Sequence, residues 1–142
     1  MKKKVLITLG VLSFFIITLL FLPRIYDWVE RYSIVKSTLN LEELPNSTKV
    51  ISCRSHFTTD VLTACYLEVD PNDFNELLQG YLFQKRELDS YSHHLISPPY
   101  IGKNFKVSYE YFAFPKEFVH GGFIKVYTDS TNENVLVDIY IE

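Results

Sequence analysis

TKVISCRSHF (Thr48–Phe57) and VLTACYLEVD (Val61–Asp70) are separated by only three residues, Thr58-Thr59-Asp60. Both segments are rich in β-branched and aromatic residues and both alternate, which predicts two strands joined as a hairpin. Placing Phe57 opposite Val61 sets Ser55 against Thr63, Cys53 against Cys65 and Ile51 against Leu67. Side chains alternate between faces, so these residues share one face with Val69, while Arg54, His56 and Glu68 take the other. The register that sorts apolar from polar also makes the two cysteines direct partners. Opposed residues of an antiparallel ladder lie ~4.5–5.5 Å apart, within reach of a disulfide. A Cys53–Cys65 bond is therefore expected, stabilising the fold by up to about 3 kcal/mol. It implies an oxidising compartment; the competing expectation is two buried free thiols in a cytosolic domain. The spacing suits neither a common zinc site nor a redox Cys-x-x-Cys pair.

Downstream, Asp70-Pro71-Asn72-Asp73 has the composition of a helix start, with Asp70 as cap and Pro71 in the first turn. Val69 and Phe74 stand at the positions of a hydrophobic staple. Phe74, Leu77, Leu78, Tyr81 and Leu82 form one apolar stripe, and Lys85 and Arg86 suit a C-terminal end. This helix is expected to cover the sheet face that carries the disulfide. Asn104–Phe114 alternates as a strand. Phe123–Asp129 and Asn134–Glu142, joined by Ser130–Glu133, predict a second hairpin, with Lys125 opposite Asp138, Val126 opposite Val137 and Ile124 opposite Ile139.

Upstream, Val5–Leu22 is a run of 18 residues without a charge, preceded by Lys2, Lys3 and Lys4. As a helix it would extend ~27 Å, close to a hydrocarbon core of ~30 Å. It reads as a membrane anchor contacting lipid; a cleaved signal peptide is the rival, although that requires a shorter apolar region and small residues at the cut. The leading lysines place the N-terminus in the cytoplasm and the remainder outside. Tyr26 and Trp28 fall where interfacial aromatics sit. Ile25, Trp28, Val29, Tyr32 and Val35 recur at helical spacing, predicting an amphipathic helix over 24–38. Its stripe is expected to pack on the domain, the alternative being a bilayer surface or a partner helix.

The expected fold class is α+β: an N-terminal transmembrane helix, then a small antiparallel sheet with one helix on a face, in the order α-β-β-α-β-β-β. The chain divides into an anchor (1–23), a juxtamembrane helix and linker (24–44) and an extracytoplasmic domain (45–142). The expected location is the inner membrane, single-pass, with the domain on the periplasmic side.

Residues 24–142 keep eleven basic side chains against all seventeen acidic ones, a formal charge of −6. Nucleic acid is not an expected partner, since phosphate contacts need clustered Lys and Arg. No phosphate loop, nucleophile elbow or zinc-protease helix occurs. No catalytic residue, metal or cofactor is assigned. The stretch Glu87–Lys103 shows no period, and such stretches in compact domains often carry function. Its Tyr91, His93, His94 and Tyr100 are candidate partner-binding residues.

The expected function is an extracytoplasmic protein-binding module, an immunity or inhibitor protein, contacting another envelope protein. An accessory subunit of an envelope complex is the alternative, and would need Val5–Leu22 or the 24–38 helix for binding. An envelope enzyme using His93, His94 or His120 is the rival class.

Overall fold

The first hairpin forms where the alternation predicts it. In the computed structural model β1 runs Lys49–Phe57 and β2 Val61–Glu68. The structure describes residues 2–57, 59–92 and 101–142, with side chains for all of these except 2–12, 14–17, 19–20, 23, 57 and 90–92. Ser55 faces Thr63 and Cys53 faces Cys65, and the cysteines are joined in a disulfide with their Cα atoms 4.1 Å apart. One pairing differs from expectation. Val50, not Ile51, lies opposite Leu67, and the next pair is Ser52 with Tyr66. Ile51 is the extra residue of a β-bulge, and it is pushed out to solvent.

Three of the remaining strands also follow the sequence: β4 Lys106–Ala113, β5 Gly122–Thr128 and β6 Asn134–Ile141. The β5–β6 register is the expected one, with Lys125 on Asp138, Val126 on Val137 and Ile124 on Ile139. Asp129 fixes the turn. Its carboxylate accepts hydrogen bonds from the Thr131 and Glu133 amides at 3.1 Å each, and from Asn134 Nδ2 at 2.6 Å. Burial raises its pKa, but the hydrogen bonds from Asn134, Thr131 and Glu133 outweigh that, and the net shift is downward.

The expected fold class is corrected in three places. First, Gln84–Ser92 is a strand, β3, so the sheet has six antiparallel strands in the order β1-β2-β6-β5-β4-β3. Second, the helix expected from Asp70 is absent. A turn leads into a five-residue 3₁₀ segment, Phe74–Leu78, and the chain then reaches β3 through Gly80. The local signals are used differently. Asp70 Oδ1 accepts from the Asn72 amide at 2.9 Å, forming an Asx turn, and Asp73 Oδ2 accepts from Ser47 Oγ at 2.6 Å. Phe74 and Leu77 are buried on the disulfide face as expected, but Leu82 is 97% exposed. Third, Lys2–Thr38 is one helix, α1, and among the described residues no helix is long and apolar enough to cross a membrane. Most side chains of the expected span Val5–Leu22 lie outside those described.

The sheet carries a core on each face. On the disulfide face Cys65, Leu67, Ile124, Val126, Val135 and Val137 pack against Val35 and Leu39 of α1 and against Phe74 and Leu77. On the opposite face Ala64, Tyr66, Tyr127 and Leu136 are covered by Ile101 and Phe105, which precede β4. At the edge of the sheet α1 also protects β1. Cα atoms as close as those of Cys53 and Cys65 mark a non-hydrogen-bonded pair, so the β1 amides of that parity point away from β2. The Ser55 amide, which shares this parity, donates to the buried Asp27 Oδ2 at 3.0 Å. An edge strand is thus capped by a helix side chain.

Candidate interaction surface

Among the described residues, the face opposite the disulfide is covered only at one end. Ile101 and Phe105 cover the row formed by Tyr66, Leu136 and Tyr127. The next row, set by strand register, reads Arg54, Ala64, Asp138, Lys125, Phe112 and Gln84 from edge to edge. Beyond it come His56, Leu62, Tyr140 and Phe123.

Aromatic pairs give this region its shape. Phe123 and Tyr140 are cross-strand partners with ring centroids 5.5 Å apart. Phe112 and Phe114 meet edge to face at 6.0 Å. Lys125 Nζ sits 4.7 Å from the Phe123 ring centre, a cation–π contact. Phe114 and Leu62 are exposed, whereas Phe112, Phe123 and Tyr140 are half-buried.

Charges are set into the same surface. Glu110 is only 2% exposed, paired with Arg86 and lying 3.4 Å from Lys125 Nζ. Tyr127 shares a hydrogen bond with Glu110, and burial first, then the nearby Glu110 and Asp138 carboxylates, raise its pKa. Asp138 is pushed up to about 6 by burial, against the pull of Lys125. A buried acid bridged by two cations is costly to leave half-paired, so Arg86 and Lys125 are held in place. The result is a surface of paired aromatics, the residue class enriched at protein interfaces, around an ordered charge network.

The residues singled out from sequence fall elsewhere. Cys53 and Cys65 are brought together, under α1 on the opposite face. Tyr91 lies in β3 opposite Val107, and its side chain is not among those described. His93, His94 and Tyr100 lie outside the described residues. His120 is exposed in the turn before β5. Among the described residues no group of three His, Cys, Asp or Glu side chains could hold a metal ion. The predicted second hairpin, with Lys125 on Asp138 and in the same register Phe123 on Tyr140, and the placing of Arg54 and His56 opposite the disulfide were the sequence signals pointing to this surface; Glu110 and Phe112 join it only through the sheet order.

Comparison of the chain with family models, with curated proteins and with solved structures finds no match.

Proposed function

We propose that the chain is a protein-binding module of the cell envelope, located at the inner membrane with its sheet on the extracytoplasmic side. Inhibition of an envelope toxin is the favoured role. The observation that carries the reading is the half-open sheet face, where Phe123, Tyr140, Phe112 and Leu62 lie in the rows of Lys125 and Asp138, with Lys125 tied to the buried Glu110. Aromatic anchors beside desolvated charges concentrate binding energy in few residues. The disulfide supports the location, since such bonds persist in oxidising compartments. The net acidity of residues 24–142 suits a basic partner and steered association.

The test uses the full chain in its own cells. A photo-crosslinking residue at Tyr140 should capture one discrete protein, and the same residue at Leu82, in the link to β3, should not. With that protein in hand, Tyr140→Ala is expected to weaken binding by about 2 kcal/mol, roughly thirtyfold, as a central aromatic anchor does. Equal capture at both positions, or none at Tyr140, removes the reading.

A further inference from the structure

The outward face of α1 changes character within one turn. From Phe21 to Tyr32 the exposed side chains are mostly apolar: Phe21, Leu22, Ile25, Tyr26, Trp28, Val29 and Tyr32, with Trp28 67% exposed. In the same stretch the polar Asp27 is the buried residue, bound to the Ser55 amide. In the next turns the stripe of Ile25, Trp28 and Tyr32 runs on into the core as Val35 and Leu39, and the exposed side chains are polar. Ser33, Lys36, Ser37 and Asn40 are exposed, and Ile34, Val35 and Leu39 face the core. A helix lying wholly in water would keep its apolar stripe covered throughout, whereas here the stripe is open as far as Tyr32. The exposed surface of the helix thus passes from apolar to polar at Tyr32–Ser33.

The charges on the apolar stretch specify the non-aqueous side. Arg24 lies over the Phe21 ring at 5.9 Å, and Arg31 over Trp28 and Tyr32 at 5.5 and 5.7 Å. Long cationic stems folded along aromatic faces, with Tyr and Trp among them, form an arrangement that suits the headgroup layer of a bilayer. Two arginines there complement anionic phosphates, while of the two acids in the stretch Asp27 is turned to the Ser55 amide and Glu30 is half-buried. The stretch also continues directly, in the same helix, from the uncharged run of residues 5–22.

We infer that the outward face of residues 21–32 is a lipid-docking surface that seats in the headgroup layer of a bilayer, with the boundary to water at Tyr32–Ser33. The inference rests on the proposed location at the inner membrane and adds which residues of the helix meet the lipid headgroups. It fixes the standoff of the sheet: the first core begins one turn past the boundary, so the half-open face lies close to the membrane surface.

Trp28 is the only tryptophan in the chain and reports directly on this surface. The full chain is reconstituted into vesicles of phosphatidylethanolamine and phosphatidylglycerol containing lipids brominated near the headgroup or near the chain end. Trp28 emission should shift to the blue, be quenched strongly by the shallow bromines and weakly by the deep ones, and resist aqueous iodide. In the variant Trp28→Phe/Ser33→Trp the probe sits past the boundary, and iodide rather than bromine should quench it. If the chain floats with the vesicles but Trp28 answers only to iodide, the docking surface is overturned and the location stands. Resistance of Trp28 to every quencher overturns it too, in favour of a protein partner on the helix. Quenching of both probes by bromine overturns the boundary. A chain that does not float at all removes both the inference and the location.

Discussion

Asp138 shows how one residue can work against its own pairing. It faces Lys125 across the β5–β6 ladder, yet burial dominates and lifts its pKa from the ordinary 3.8 to about 6. The folded state therefore holds this proton more tightly than the unfolded chain does. The sign follows: this contribution to stability is greatest below the unfolded value and is lost as pH rises through about 6. Asp138→Asn, which cannot ionise, should remove that slope. Urea unfolding of wild type and variant across this range is the check. The difference between the two stabilities should change steadily from the unfolded value up to about pH 6 and be flat above it. A constant difference would mean that Lys125 compensates the burial in full.

Among elements, the link from β2 to β3 departs furthest from its sequence. Gly80 passes so close to the end of α1 that an added Cβ would lie 1.7 Å from the Leu39 carbonyl oxygen and 2.7 Å from that of Asn40. Asn40 Nδ2 donates to the Gly80 carbonyl at 3.2 Å, tying the two segments together. Backbone cannot yield as a side-chain tip can, so Gly80→Ala should cost at least the ~1–3 kcal/mol typical of overpacking. Leu82→Ala, two residues on and fully in solvent, should stay within ~0.5 kcal/mol of wild type in the same denaturation series. Similar losses for both would show that the link gives way as a unit.

This contact also explains what could be read in advance. The two hairpins were legible because short loops, period-two alternation and complementary partners all select one register. The second helix was not, because an aspartate cap, a proline and an apolar stripe serve an Asx turn and a 3₁₀ segment equally well. What decides between them is the distant end of α1. β3 was missed because Gln84–Ser92 carries almost no apolar alternation, as befits an edge strand that must discourage further pairing. The candidate surface was hidden for a related reason. Its rows draw on all six strands, and only the pairing of β2 with β6 brings Arg54 and Leu62 alongside Asp138 and Tyr140.

The whole molecule is one sheet with unequal covers, and the disulfide sits where the covers meet. β1 is an edge strand attached on one side to β2 and on the other to α1, whose Arg31 carbonyl oxygen lies 3.7 Å from Cys53 Sγ. The bond therefore fastens not only a hairpin but the helix that closes the larger core. Cys53→Ala/Cys65→Ala should lose up to about 3 kcal/mol, with α1 and β1 loosening together as increased amide exchange at Val35 and Ser55. The same bond bears on where the protein works. Rapid acid quench of intact cells, alkylation and mass spectrometry should find Cys53 and Cys65 joined to each other. Glutathione and thioredoxin keep cytosolic thiols reduced, so two alkylated thiols would remove the extracytoplasmic placement and require partners to be sought on the cytoplasmic side. The joined form, together with lower stability after its removal, would make oxidation a step in the protein's maturation.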